Sequence, residues 1–250
     1  MITRRRCLTG LALAGALTAG PALAAETLVA VAANFTEPAK EIATAFVAAT
    51  GHTARLTFGS SGAFYAQMAH GAPYEVFLSA DTERPKQAER DGLGVAGSRF
   101  TYAVGRLALY SPTPGVVDPA GSVLSGDRFE KLAIADPAAA PYGAAAVRTM
   151  RTLGVYDRVR SRIVTGASIG QTFQFVQTGA AELGFVAWSQ VINVPGGSRW
   201  LVPAADHAPI DQQAILLQAG AKDPAARAFL AFLKSPAAVA IIRRYGYEVP

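Results

Sequence analysis

The sequence predicts an α/β protein of two lobes, each a mostly parallel sheet flanked by helices, with a ligand cleft between them. Short apolar runs alternate with helical patterns along the chain, which is typical of βαβ units. The alternation occurs twice in series, in a chain of 250 residues that is 51% hydrophobic. This length suits one or two domains, and no low-complexity tether separates the two sets of elements.

The first set starts with a predicted strand, TLVAVAA, and the helix that follows it. Ile42, Phe46 and Ala49 recur at helical spacing and predict the buried face of that helix. Asn34 is its predicted N-cap and Gly51 its predicted end. Next come the strand ARLTFG, the helix SGAFYAQMAHG, the strand EVFLSAD and a charged helix within 83–97.

The second set is reached through RFTYAVGRLALYSP, a predicted long strand that carries the chain out of the first set. In the last helix of the second set, Ile169, Phe173 and Val176 predict the inward face. The predicted elements are the strand KLAIAD, the helix PYGAAAVRTMRTLG, the strand RIVTGA, the helix SIGQTFQFVQTG and the strand ELGFVAW.

The last part of the chain is predicted to return to the first set. DQQAILLQAG reads as the returning strand, and two helices follow, the second starting at Ser235 and ending at Gly246. We therefore predict a signal peptide at 1–24, one lobe from 25–104 together with 210–250, and the other lobe from 105–209.

The first residues have the features of an export signal. Three arginines at 4–6 precede an apolar stretch and the small residues before Ala25, which predicts cleavage after Ala24 and a periplasmic location. The arginines followed by Cys7 and Leu8 fit a twin-arginine signal as well as an ordinary basic start. Glycines and a proline interrupt the apolar run, which disfavours an uncleaved anchor helix.

Cleavage would change the charge and the redox chemistry of the chain. Cys7 is the single cysteine of the sequence, so the mature protein would have no disulfide, thiolate nucleophile or cysteine metal site. Three of 23 basic residues would also leave, and 20 basic against 18 acidic residues give a net charge of +2. We expect no nucleic-acid partner from so small and dispersed a charge.

Small uncharged donors occupy the turns at which the predicted helices begin. These turns should meet at the carboxyl edges of the sheets, where open α/β folds bind ligands. A helix start presents unpaired N–H groups and about half a positive charge, which suits an anion without any lysine or arginine. The turns carry Asn34, Ser60 and Ser61, Tyr142 and Gly143, and Ser168 and Ile169.

Four segments resemble the periplasmic molybdate-binding proteins of ABC importers, in order and along essentially the whole mature chain. They are AANFTEPAKEIATAF, FGSSGAFYAQMAHGAPYEVFLSAD, ADPAAAPYGAAA and the closing RRYGY. The resemblance implies a type II periplasmic-binding fold, molybdate or tungstate held by hydrogen bonds alone, no cofactor, a membrane permease as partner and a monomeric state.

The resemblance also assigns ligand positions. It places a first-loop ligand at Asn34, with Ala33 beside it, and the serine-turn ligand at Ser61, next to Ser60. Main-chain donors fall on Tyr142 and Ile169. One branch of the family has a strand tyrosine where this chain has Ala187, and Tyr142 is the residue that could replace that contact.

The sequence also allows other interpretations of these residues. Ser60, Ser61 and Asn34 could be helix caps, and Asp81 and Asp136 are expected to make capping or hinge hydrogen bonds. The same fold could bind sulfate, phosphate or an organic anion. A serine hydrolase is a weaker alternative, because GSSG does not fit G-x-S-x-G. A metal-cation site is disfavoured too, since the three histidines have no ligand spacing: His52, His70 and His207.

Overall fold

The computed structural model describes residues 24–250, so the predicted signal peptide lies outside the described residues except for its last one. The first lobe begins with four strands and three helices. They are β1 (Glu26–Ala32), α1 (Thr36–Thr50), β2 (Thr53–Gly59), α2 (Ser61–Ala69), β3 (Val76–Leu78), α3 (Glu83–Arg90) and β4 (Phe100–Gly105).

The second lobe follows without a break. Its elements are β5 (Leu107–Ser111), β6 (Leu132–Ala135), α4 (Pro141–Thr152), α5 (Tyr156–Val159), β7 (Ile163–Gly166), α6 (Ile169–Gln177), β8 (Leu183–Ala187), α7 (Trp188–Val191) and β9 (Ser198–Leu201). The chain then returns to the first lobe with β10 (Ile210–Leu216), α8 (Pro224–Leu233) and α9 (Pro236–Arg244).

Each lobe is built on a five-stranded mixed sheet, with the orders β2-β1-β3-β10-β4 and β7-β6-β8-β5-β9. In the first sheet β1 runs parallel to β2 and β3, and β10 is antiparallel to β3 and β4. In the second sheet β6 runs parallel to β7 and β8, and β5 is antiparallel to β8 and β9. The predicted two-lobed α/β architecture is confirmed, and the antiparallel strands are those next to the chain crossings.

The predicted long strand is divided at Arg106, which separates β4 in one sheet from β5 in the other. The second crossing lies between β9 and β10. Two crossings hold the lobes together, which agrees with the absence of a tether in the sequence. The antiparallel return of β10 between β3 and β4 brings residues far apart in sequence to the junction of the lobes.

Most predicted helix faces are correct, but two predicted inward-facing positions differ. Ile42 and Phe46 are fully buried and Gly51 has a positive φ of 74°, but Ala49 is exposed in the last turn of α1. Phe173 is half-buried against a secondary cluster around β5 and β8. Three elements of four residues each, β9, α5 and α7, were not predicted from the sequence.

Among residues 24–250, no single helix has the length and apolar composition to cross a membrane. The pair α8 and α9 meets that test only when its two helices are taken together, and they are bent by 60° relative to each other.

Candidate functional site

A small cavity lies where the two lobes meet. All six residues predicted as ligand positions line it: Ala33, Asn34, Ser60, Ser61, Tyr142 and Ile169. The other lining residues are Ala32, Gly59, Ala80, Ala140 and Pro141. Parallel strands place the starts of their following helices at one sheet edge, and the two sheets present these edges to each other.

The serine turn joins β2 to α2 in the first lobe. Ser60 is the N-cap residue of α2 but makes no side-chain cap hydrogen bond, so the capping role that its position suggests is absent. The Ser61 hydroxyl oxygen accepts a hydrogen bond from the Ala80 N–H at 2.9 Å. With that acceptor used, the hydroxyl hydrogen of Ser61 remains available to an anion. The main-chain N–H of Ser61 belongs to the first helical turn and has no partner within the helix.

Asn34 lies in a short 3-10 turn, Ala33–Phe35, between β1 and α1. Its predicted role as an N-cap is wrong, because Phe35 is the N-cap residue of α1. The Asn34 amide nitrogen instead donates to Gln212 Oε1 at 2.8 Å and to Tyr247 Oη at 3.0 Å. Its Oδ1 atom is buried without a partner among the described residues. Both side-chain donors are therefore in use, and the main-chain N–H is the donor that Asn34 can offer to the cavity.

Tyr142 lies in the first turn of α4, next to Pro141, so its N–H has no partner within the helix. Its hydroxyl accepts a hydrogen bond from Gln212 Nε2 at 3.2 Å. The hydroxyl also lies against Gly105, where an added Cβ would be 2.1 Å from Tyr142 Oη. The Tyr142 hydroxyl is thus already hydrogen-bonded to Gln212 beside the chain crossing. The main-chain N–H of Tyr142 is the group that could donate to a ligand.

The last helix start at the cavity is that of α6. Ser168 caps this helix, with its hydroxyl oxygen accepting from the Gln171 N–H at 3.3 Å. Ile169 is the first residue of α6, so its N–H is unpaired within the helix while its side chain is buried. Gly170 follows, and an added Cβ there would lie 3.3 Å from the Cβ of Ala33 in the other lobe. The lobes are in close contact at this point.

Beside the cavity, six buried polar side chains form a hydrogen-bonded cluster across the two lobes, which we call the hub. The Ser189 hydroxyl donates to the Asn34 carbonyl oxygen at 2.8 Å, and Tyr247 Oη lies 2.9 Å from Ser189 Oγ. The members are Asn34, Tyr102, Tyr142, Ser189, Gln212 and Tyr247. The sequence patterns indicate Asn34 and Tyr142 as site residues but give no such indication for the other four. The one available signal was the closing RRYGY, which contains Tyr247.

The three hub tyrosines keep their protons at neutral pH. Burial raises the pKa of Tyr247 to about 12, and it raises the pKa values of Tyr102 and Tyr142 well above the ordinary value of 10. Burial acts in this direction because a low-dielectric interior disfavours the phenolate. The hub is therefore held by neutral hydroxyls and amides.

No formal charge is carried by the described residues that line the cavity. The expected roles of the two nearby aspartates are confirmed. Asp81 accepts from the Arg84 N–H at 3.0 Å, and Asp136 accepts from the Ala138 N–H at 2.9 Å, so both support local turns. Arg84 pairs with Asp81 at 2.6 Å and donates to the Ala138 carbonyl oxygen of the other lobe at 2.8 Å. This arginine joins the lobes without lining the cavity.

The described part of the chain has no group of three or more His, Cys, Asp or Glu side chains that could hold a metal ion. The histidines lie away from the cavity lining, and each contacts nearby backbone: His52, His70 and His207. Ser61 therefore has no histidine beside it in the lining, and a Ser-His-Asp arrangement gains no geometric support.

A wider groove adjoins the cavity between α1 and α6. Its walls include the charged residues Glu37 and Lys40. Its walls therefore carry formal charges, which the described residues lining the small cavity lack. The small cavity is thus the better candidate for a four-oxygen anion.

Comparison with known proteins agrees with this architecture. Residues 27–248 match the family described as bacterial extracellular solute-binding protein. The molybdate-binding protein ModA of Rhodobacter capsulatus is 56% identical over 98% of this chain and 96% of its own length. The ModA protein of Azotobacter vinelandii is 52% identical, covering 94% of this chain and 95% of the relative.

A solved structure of a molybdate-binding protein is also similar to this chain in three dimensions. The periplasmic molybdate-binding protein of Azotobacter vinelandii superimposes with a TM-score of 0.87 at 42% identity, covering 90% of this chain and 99% of that one. The two lobes, the mixed sheets and this similarity identify a type II periplasmic-binding fold. The chain belongs to the bacterial extracellular solute-binding protein family.

Proposed function

We propose that the protein captures molybdate, and tungstate with it, outside the cytoplasm and delivers the anion to an ABC importer. The observation that carries this proposal is the uncharged cavity at which helix starts from both lobes meet around Ser61, Tyr142 and Ile169. The names of the relatives at 56% and 52% identity give the substrate class.

The donor set suits a dianion that carries no proton. Hydroxyl and main-chain N–H groups donate to oxygen atoms, and the positive ends of helix dipoles add a favourable field. Hydrogen phosphate brings a proton that needs an acceptor, and no carboxylate lines the cavity among the described residues. Sulfate has the same charge and shape as molybdate but is smaller, so cavity size would discriminate against it.

Binding would favour a closed arrangement of the lobes. An anion that contacts Ser61 in one lobe and Tyr142 and Ile169 in the other stabilises the state in which both are near, which is a population shift. We propose that a monomer in this closed state docks on the membrane permease. A periplasmic location, after removal of residues 1–24 by either export route, is part of the same proposal.

A thermal-shift panel of oxyanions, followed by calorimetry, tests the proposed function. We expect molybdate and tungstate to raise the melting temperature of the mature protein, because a ligand that binds only the native state stabilises it. A ligand at about 1,000 times its Kd adds about 4 kcal/mol. Sulfate and phosphate at equal concentration should give much smaller shifts. Saturable sulfate binding without a molybdate response would instead make the protein a carrier of another oxyanion.

A further inference from the structure

We infer that Gln212 is a positioning residue that couples the two lobes, and so sets how long a bound anion is retained. This inference rests on the proposed function. Gln212 does not line the cavity, but it is fully buried and hydrogen-bonded to one cavity residue of each lobe, Asn34 and Tyr142. It therefore acts on the site through its neighbours.

Both ends of the Gln212 carboxamide are used. Its Oε1 atom accepts from Asn34 Nδ2 at 2.8 Å and from Tyr102 Oη at 3.0 Å, both within the first lobe. Its Nε2 atom donates to Tyr142 Oη of the second lobe at 3.2 Å. A planar amide that makes all three contacts fixes the position of the Tyr142 ring relative to Asn34.

The backbone of the first sheet is adapted to this arrangement. Gln212 pairs with Ala103 and Gln213 pairs with Thr101, so Tyr102 is the additional residue of an irregularity between β4 and β10. An extra residue of this kind, as in a β-bulge, bends the strand and redirects the side chains beside it. Here Tyr102 and Gln212 meet at the junction of the lobes.

Opening of the lobes would break the contact between Gln212 and Tyr142. Hinge opening that moves α4 relative to β10 would remove the acceptor of the Gln212 Nε2 donor. The hub also contributes a second link, from the Ser189 hydroxyl of one lobe to the Asn34 carbonyl oxygen of the other. These neutral contacts favour the closed state without occupying the cavity, and their loss should act on anion release rather than on capture.

Trp188 provides a way to observe closure. The sequence contains two tryptophans, Trp188 and Trp200. Trp188 lies in the second lobe against Gly246 of the C-terminal segment, where an added Cβ would be 2.6 Å from Trp188 Cδ1. Trp200 is buried in the core of the second lobe. In a Trp200→Phe background, the fluorescence of Trp188 should report the contact between the lobes.

The test is stopped-flow fluorescence with molybdate, on full-length mature protein in the Trp200→Phe background. For Gln212→Met we expect the dissociation rate constant to rise about tenfold and the association rate constant to stay within about twofold. Gln213→Met is the matched control on the same strand. Gln213 contacts Arg99 and Thr101 instead of the hub, so its replacement should change neither rate constant.

Tyr142→Phe provides a second variant in case Gln212→Met does not fold. It removes the hydroxyl that accepts from Gln212 and keeps the main-chain N–H of Tyr142. We expect faster dissociation of molybdate in Tyr142→Phe. The double variant should release molybdate no faster than Gln212→Met alone, because both substitutions remove the same hydrogen bond between Gln212 and Tyr142. Unchanged release in Tyr142→Phe, or multiplied effects in the double variant, would overturn the role of Gln212. Absence of any molybdate response in the unsubstituted protein would overturn the proposed function itself.

Discussion

Replacing Gly62 with leucine is expected to weaken molybdate binding by about 100-fold or more while leaving each lobe folded. Gly62 lies in the first turn of α2, and an added Cβ would be 3.0 Å from both the Cα and the carbonyl oxygen of Ala139 in the other lobe. A leucine side chain would extend further into that backbone and hold the lobes apart. The anion would then lose two main-chain donors of the second lobe, about 3 kcal/mol in all.

The matched control for this variant is Ala66→Leu, which adds the same side chain to the same helix at an exposed position. Calorimetric titration with molybdate should give an unchanged Kd for the control and a strongly raised Kd for Gly62→Leu. Circular dichroism and thermal unfolding without ligand should be similar in both variants. Tight binding by Gly62→Leu would mean that contact between Gly62 and Ala139 is not needed for capture.

Replacing Ser61 with alanine is expected to cost about 1 to 3 kcal/mol of binding free energy, which raises the Kd about 5- to 150-fold. The hydroxyl oxygen of Ser61 already accepts a hydrogen bond from the Ala80 N–H, which leaves the hydroxyl hydrogen without a partner in that contact. Its hydrogen can therefore form a charge-assisted hydrogen bond to the dianion, the stronger kind. The measurement is calorimetric titration of both proteins with molybdate and tungstate.

Ser235→Ala is a suitable control for Ser61→Ala, because Ser235 is also a serine at the start of a helix. Its hydroxyl oxygen caps α9 by accepting from the Ala238 N–H, far from the cavity lining. The control should lose about 0.5 to 2 kcal/mol of unfolding free energy and keep its affinity for molybdate. Equal affinity of Ser61→Ala and the unsubstituted protein would remove Ser61 from the ligand set.

Local patterns were sufficient to predict the strands that lead to the cavity and the turns that line it. Periodicity placed α2, α4 and α6 after their strands, and parallel βαβ geometry then implied that their starts meet. Ser235 and Gly246 also act at the ends of α9 as their residue types suggest. These features depend on neighbours within a few positions in the chain, which is the range over which such patterns are informative.

The hub could not be predicted in the same way. Asn34 has the position and residue type of an N-cap, but its amide is drawn to Gln212 and Tyr247, which follow it by 178 and 213 residues. The contact with Gln212 exists because β10 returns between β3 and β4, and the contact with Tyr247 exists because the C-terminal segment pairs with β4 through Val104 and Glu248. Neither pairing carries a local signal. The break at Arg106 was hidden for a similar reason, since two adjacent strands of different sheets read as one apolar run.

The hub also explains why two of the predicted ligand residues would contribute through their main chains. Asn34 and Tyr142 place their side chains in the contact between lobes and leave N–H groups at the cavity. This division would separate two tasks, because the side chains would stabilise the closed state and the peptide groups would contact the anion.

Anomalous diffraction from crystals grown with tungstate tests the central claim most directly, because it locates the anion without reference to any assigned residue. We expect a single strong peak inside the cavity, within hydrogen-bonding distance of the Ser61 hydroxyl and of the main-chain nitrogens of Tyr142 and Ile169. A peak bound to lysine or arginine side chains elsewhere, with the space between the lobes left empty, would contradict it.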